Sequence, residues 1–335
     1  MILFIGNFLR GTGSNPTYLE LVALDLKEYP IVLVSSYKNK LIRLLHMIVT
    51  ILKNLFTLKL VVIDTYSTKA YNFALIISII SKLLKIPYML NLSGGNLDYR
   101  MKYSYSFKII LKYSRINISP SKFIYKILKD NGVDSVYLPN YINLKEYPFI
   151  EKSFYAPKIL WVRSFHKIYN PIMAIEVLRI LDKKFPECLL CMVGPYKDNS
   201  LKDVKELSKQ YSLEEKLIIK GRLTKKEIVE LASCYNIFIN TTNIDNLPIS
   251  VLEAMALGLP VVSTNVGGIP YFLNESNSIL VNKGDSIAMS NAIKKIIKEN
   301  ELGSSLSKVA RKNIEVDHNK NSVISKWANI FDEFN

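Results

Sequence analysis

Ile237-Phe-Ile-Asn-Thr-Thr-Asn-Ile-Asp-Asn-Leu-Pro-Ile-Ser-Val-Leu-Glu-Ala-Met-Ala-Leu-Gly-Leu-Pro-Val-Val-Ser263 decides how this chain folds. Its first run, Ile237 to Asn240, is too short for a helix and reads as a buried strand. A polar loop, Thr241 to Leu247, follows. Pro248 then suits the first helical position, where its missing N–H has no partner to lose. The helix continues through Ile249 to Ala256 and stops near Gly258. Pro260 to Ser263 is a second short apolar run. A strand, a helix and a strand in that order make a βαβ unit, which implies a parallel sheet.

The same rhythm recurs on either side. Strand candidates in the first half are Ile2–Ile5, Ile31–Val34, Leu60–Ile63, Tyr88–Asn91, Ile116–Ile118 and Val136–Leu138. Those in the second are Ile159–Val162, Leu189–Val193, Leu217–Lys220, Ile237–Asn240, Pro260–Ser263 and Ser278–Val281. The rhythm lapses between Pro139 and Pro157, which hold three prolines. We therefore expect an α/β protein of two facing Rossmann-like parallel-sheet domains, with a cleft between them. The expected parts are residues 1–140, a linker at 141–157, a second domain at 158–318 and a terminal helix at 319–335. In that last part Val323, Ile324, Trp327, Ile330 and Phe331 recur at helical spacing, so one face should be buried, packing back towards the first domain.

Composition narrows the function. The chain has 335 residues, of which 44 are basic and 29 acidic, giving a net charge of +15. At 49% hydrophobic it is too apolar for a disordered polycation. Three cysteines exclude a disulfide-stapled scaffold, and Cys188-Leu-Leu-Cys191 leads into a buried strand with no second pair, which reads as core packing. Met1-Ile-Leu-Phe-Ile-Gly6 has no basic leader and reads as a first strand, so a cytoplasmic location is expected. The uncharged run from Ala70 to Ser81 falls short of the ~20 residues that a spanning helix needs.

The charge is uneven. Met1 to Tyr155 hold 20 basic and 9 acidic residues. Between Glu28 and Asp98 the only acid is Asp64, and none lies from Tyr99 to Lys129, where lysines, arginines and tyrosines interleave. Such a face suits anionic lipid headgroups or nucleic-acid phosphates. A solvated face in a chain with a bias to Lys, Ile and Asn would look the same.

Chemistry gathers around the opening stretch. N–H groups at Ile249, Ser250 and Val251 stand at the start of a helix that follows a parallel strand, a ready site for a diphosphate. Asp245 and Glu253 flank it, with Asn246 and Leu247 between the loop and the helix. Glu253 could take both hydroxyls of a ribose and Asp245 the hydroxyls of a sugar. Two plainer readings stay open: Asp245 as a helix N-cap, and Glu253 as a partly buried carboxylate paired to a lysine.

The run from Asp245 to Gly268 resembles the donor-binding signature of glycosyltransferase family 4, retaining enzymes of GT-B architecture. In that family two glutamates are separated by seven residues, followed by a small-residue helix, Gly-x-Pro-Val and a Gly-Gly loop; here Asp245 takes the first position. The resemblance implies that Arg163 neutralises the donor diphosphate, with Lys167 or Tyr169 at the companion lysine position. It implies that Gly194, Arg222 and Leu223 lie along the nucleotide and that Gly267 and Gly268 close over the phosphates. The first domain is less similar. Gly11, Thr12 and Gly13 sit in a glycine loop after the first strand, and Ser93, Gly94, Gly95 and Asn96 occupy the place of a family His-Gly-Gly.

The resemblance implies a hexosyltransferase moving a sugar from a UDP- or GDP-linked donor to a hydroxyl of a glycan or lipid-linked acceptor, with retention of configuration. Bacterial surface polysaccharide, capsule or lipopolysaccharide, at the inner face of an anionic membrane fits the basic first domain. No cofactor and no metal are expected, since no Asp-x-Asp occurs, and no nucleic-acid partner. The alternatives are a GT-B sugar-nucleotide epimerase and a non-enzymatic basic protein that binds lipid or nucleic acid.

Overall fold

The computed structural model of the chain describes residues 1–8, 16–67, 70–94 and 97–334, with the side chain of residue 300 left aside. It divides into two compact units, Met1–Asn140 with Asn321–Asn335, and Tyr141–Lys320.

The first unit runs β1 (Ile2–Ile5), α1 (Tyr18–Asp25), β2 (Ile31–Val34), α2 (Lys40–Lys53), β3 (Leu60–Thr65), α3 (Tyr71–Leu83), β4 (Tyr88–Leu92), α4 (Leu97–Tyr103), α5 (Tyr105–Tyr113), β5 (Ile116–Ser119), α6 (Lys122–Asp130) and β6 (Val136–Tyr137). Its six strands form one parallel sheet in the order β2-β1-β3-β4-β5-β6. Every residue of β1, β3 and β4 is buried, as expected of strands covered on both faces by crossover helices. Capping sets the helix starts: the Thr17 side chain accepts from Glu20 N while Glu20 reaches back to Thr17 N, and Asn39 accepts from the N–H groups of Leu41 and Ile42.

The second unit continues with β7 (Lys158–Val162), α7 (Pro171–Asp182), β8 (Leu189–Val193), α8 (Ser200–Gln210), β9 (Leu217–Lys220), α9 (Lys225–Ala232), β10 (Ile237–Asn240), α10 (Ile249–Ala256), β11 (Val261–Thr264), β12 (Ser278–Val281), α11 (Ser286–Lys298) and α12 (Asn300–Asp317). Its sheet is again six-stranded and parallel, in the order β12-β11-β10-β7-β8-β9. One core layer holds Trp161, Phe165, Leu178 and Ile293; another holds Phe238, Leu252, Met255 and Ala310. The α/β class and the two parallel sheets are therefore as expected, and each strand candidate falls on an observed strand.

Two details differ from expectation, and the terminal helix agrees with it. Pro248 is the N-cap of α10, with ψ of 113°, and the helix proper begins at Ile249. The segment 141–157 belongs to the second unit: Tyr147 and Phe154 are buried in its cores, and Ile142 N donates to His318 O at 2.8 Å. Prolines had masked an apolar pattern too irregular to read as a helix or a strand. The terminal helix α13 (Lys320–Asp332) joins the first unit from Asn321 onward. Trp327 packs 6.3 Å from the Phe4 ring and donates its Nε1 hydrogen to the Tyr18 hydroxyl at 3.2 Å.

Candidate active site

In the second unit the chain lays β7, β8 and β9 in one direction, then returns to place β10 on the other side of β7. Such a reversal opens a crevice beyond the carboxyl ends of the two central strands, where α/β sheets hold ligands. Arg163 is the residue that follows β7, and Asp245 lies in the loop that follows β10. They meet: the Arg163 guanidinium donates to an Asp245 carboxylate oxygen, and both side chains are more than four-fifths buried. Arg163 Nε also points at Asn240 Oδ1 at 3.4 Å, and its guanidinium lies 4.8 Å from the centre of the Tyr169 ring. A guanidinium held by a carboxylate, an amide and an aromatic face has little rotamer freedom left to lose on meeting a phosphate.

The loop from Thr241 to Leu247 is fixed from both sides. Trp161 Nε1 donates to Thr241 Oγ1 at 2.9 Å, and that hydroxyl donates to Tyr169 O at 2.8 Å. Asn243 N donates to Ile168 O at 2.8 Å, and Thr264 Oγ1 to Thr242 O at 2.7 Å. Two glycines then let the next loop close on Asp245. A Cβ on Gly267, whose φ is +54°, would stand 2.1 Å from Asp245 O, and one on Gly268 would stand 2.1 Å from Asn246 O. Gly268 N donates to Asp245 O at 2.9 Å. Gly194 plays the same part beside Arg163: its φ is +151°, and a Cβ there would lie 1.9 Å from Arg163 O.

Helix α10 opens onto this place. Val251 N bonds to Pro248 O at 3.0 Å, which removes it from the expected trio of donors, and Ile249 and Ser250 keep N–H groups with no acceptor among the described residues. The Ser250 hydroxyl is buried there without a partner. The helix has no side-chain cap, so the reading of Asp245 as an N-cap fails; its Oδ1 accepts from Asn246 N at 2.8 Å instead. Glu253 is buried one turn further on, and its Oε1 accepts from the Tyr147 hydroxyl at 2.7 Å. The partner is thus a tyrosine and not the lysine weighed above. Burial raises the Glu253 pKa above the usual carboxylate range, and burial with the nearby carboxylate raises that of Tyr147. Tyr147 escaped the sequence reading because it lies in the segment taken for a linker.

The remaining residues of the second unit take lesser positions. Lys167 is exposed on a short 3-10 turn and Tyr169 is the side chain against Arg163, so of the two companions it is the tyrosine that touches the guanidinium. Arg222 is exposed and Leu223 half-buried at the end of β9, beside Gly194, whose N–H bonds to Gly221 O at 3.1 Å. Leu247 and Ile249 pack against the core while Asn246 is buried. Among the described residues no group of three or more His, Cys, Asp or Glu is placed to hold a metal ion.

The first unit has its own reversal, between β1 and β3. Gly11, Thr12, Gly13, Gly95 and Asn96 lie outside the described residues. Ser93 donates to Asp64 Oδ1 at 2.7 Å, and Gly94 packs so closely that a Cβ would stand 2.5 Å from Ser67 N. Asp64 is the residue that sequence reasoning missed as a site. It is 6% exposed, accepts from Asn91 Nδ2 at 3.0 Å and from the Tyr66 hydroxyl, and burial raises its pKa. Its signal was present: a lone acid at the end of an apolar strand.

Residues 148–313, about half of the chain, match the model of the family described as glycosyl transferases group 1. The chain is 22% identical over 188 residues to N-acetyl-alpha-D-glucosaminyl L-malate synthase of Bacillus anthracis, covering 56% of this chain and 47% of that protein. It is 33% identical over 81 residues to the capsular polysaccharide biosynthesis glycosyltransferase CapM of Staphylococcus aureus, covering 24% of this chain and 21% of that one. The matched part spans less than half the length of either relative. Among solved structures, HepE of Anabaena in complex with UDP superposes with a TM-score of 0.80 at 13% identity, covering 99% of both chains. Sucrose-phosphate synthase of Thermosynechococcus elongatus gives 0.80 at 15% identity, covering 99% of this chain and 98% of that one. The fold they share is GT-B, and residues 148–313 of the chain, which carry Arg163, Asp245 and Glu253, belong to the glycosyl transferases group 1 family.

Proposed function

We propose that the protein is a retaining, metal-independent glycosyltransferase that moves a sugar from a UDP- or GDP-linked donor to a hydroxyl of a glycan or lipid-linked acceptor in bacterial surface polysaccharide synthesis. The observation that carries the reading is the Arg163–Asp245 pair at the strand reversal, beside the unpaired N–H groups of Ile249 and Ser250. The diphosphate of the donor takes the place at those amides and draws the Arg163 guanidinium to its oxygens. Asp245, released, accepts from hydroxyls of the sugar, and Glu253 from the ribose.

As the bond from the anomeric carbon to the diphosphate oxygen breaks, the leaving oxygens gain charge that Arg163 and the positive end of α10 offset. The acceptor oxygen bonds to the anomeric carbon on the same face, and its proton passes to the departing phosphate. No side-chain nucleophile enters this scheme. The acceptor is assigned to the first unit, whose excess of basic residues suits an acceptor displayed on an anionic membrane at the cytoplasmic face.

The test is incubation of the whole chain with a panel of UDP- and GDP-sugars, with and without a chelator. Release of nucleoside diphosphate, by transfer or slow hydrolysis, is expected in both; a product of inverted configuration contradicts retention, and an epimerised donor with no diphosphate released overturns the transferase.

A further inference from the structure

Helix α2 shows an unusual surface. Met47 and Ile51 face the core of the first unit. The opposite side of an amphipathic helix is ordinarily polar. Here Leu41, Leu45, Val49, Leu52 and, just past the helix, Phe56 recur every three or four residues and are 74%, 62%, 43%, 53% and 100% exposed. A lone exposed leucine needs no explanation, whereas a continuous apolar stripe marks a surface made for contact.

The surroundings say what kind. Between Glu28 and Asp98 the one acid is Asp64, which is buried, while Lys40 and Lys53 stand at the two ends of α2. Helix α3 packs beside α2 and carries exposed Ile79 and Leu83; α5 packs beside α3. Tyr105 and Tyr113 of α5 and Tyr125 of α6 are exposed among Lys108, Lys112 and Lys126, and the Lys82 ammonium lies 3.0 Å from the centre of the Tyr113 ring. The layer thus carries leucines and a phenylalanine beside lysines and tyrosines. A second copy of this chain docked face to face would oppose lysine to lysine along α2, α3 and α5, whose sequences hold no acid to compensate; the exposed Asp130 of α6 is paired to Lys126 of its own helix at 3.3 Å. An anionic bilayer supplies both an apolar interior and phosphates at its rim.

We infer that this layer is a membrane-docking face on which α2 lies in the plane of an anionic bilayer, with Leu45, Val49, Leu52 and Phe56 entering the acyl boundary and the lysines and tyrosines at headgroup level. The inference rests on the reading above in taking the acceptor to be displayed on that membrane; it adds the element that inserts. Among the described residues no helix is long and apolar enough to cross a membrane.

The experiment is co-sedimentation of the full chain with vesicles of phosphatidylcholine alone or with phosphatidylglycerol added. The wild type binds the anionic vesicles and not the neutral ones. The triple variant Leu45→Gln, Leu52→Gln, Phe56→Gln changes exposed positions only, so it melts like the wild type, yet it loses about tenfold or more in vesicle affinity. Tryptophan fluorescence of Phe56→Trp shifts to the blue on anionic vesicles and is quenched by brominated lipid. Equal binding by the triple variant, absence of that quenching, or a wild-type dimer abolished by the triple variant overturns the docking face. Hydrolysis of UDP- or GDP-sugar is scored on the same samples: hydrolysis without vesicle binding overturns the docking face alone, and vesicle binding without hydrolysis overturns the transferase reading alone.

Discussion

At the β7/β10 reversal of the second unit a guanidinium meets a carboxylate, whereas at the β1/β3 reversal of the first unit a carboxylate meets neutral donors. Arg163 and Asp245 neutralise each other, and each can exchange its partner for a ligand of matching charge. No cation is paired to Asp64 among the described residues; Ser93, Asn91 and Tyr66 hydrogen-bond to it, and burial pushes its pKa up. The first arrangement suits an anionic ligand that arrives and leaves. The second holds its carboxyl group among neutral donors, where burial disfavours its charge.

Substitutions can break or sharpen that contrast. The largest effect expected is that of Arg163→Ala, which lowers turnover about 10²- to 10³-fold, the usual loss on removing one preorganised charge-stabilising donor. Asp64→Asn, in contrast, lowers it by about tenfold or less. Steady-state release of nucleoside diphosphate measures both, and equal losses would erase the distinction.

Next come the glycines. Gly194→Ala and Gly267→Ala place a Cβ 1.9 Å from Arg163 O and 2.1 Å from Asp245 O, so each should lower the unfolding free energy by about 2–4 kcal/mol in denaturant titration. Gly132 also has positive φ, +70°, but opens onto empty space; Gly132→Ala should cost only about 1 kcal/mol.

Glu253→Gln keeps an acceptor for Tyr147 and removes a charge that burial disfavours. The sign follows from the raised pKa. The contribution of Glu253 to stability is fully present below its unfolded value near 4.5 and is lost as pH rises through the higher folded value. The variant should therefore melt about 2–4 °C above the wild type at neutral pH, with the gap closing towards about pH 4, and its turnover should fall. Ser93→Ala has a small effect, about 1–2 kcal/mol for the hydrogen bond it donates to Asp64 and the one it accepts from Asn91, read in the same melting experiment.

The two reversals also differ in how far the sequence discloses them. The second unit carries its site on one continuous run, so Ile237 to Gly268 shows strand, loop, helix and closing glycines in order, and Arg163 follows a plain strand. Its hidden member is Tyr147, because contact with Glu253 depends on a path through 141–157 that has neither helical nor strand period. The site of the first unit is assembled from β3, β4 and the turns after them, and nothing local in Asp64 or Ser93 announces the other. The apolar stripe on α2 was equally concealed. Lys40 to Lys53 is apolar on two sides, and periodicity alone does not tell which side faces the core.

The central claim is that Arg163 and the start of α10 hold a diphosphate. Calorimetric titration of UDP and GDP into the wild type, Arg163→Ala and Asp245→Ala tests it most directly. One of the two nucleotides should bind the wild type, bind Arg163→Ala at least about tenfold more weakly at a temperature where that variant is still folded, and bind Asp245→Ala no more weakly than the wild type, since the guanidinium no longer has to leave a carboxylate. Undiminished binding to Arg163→Ala would contradict the account.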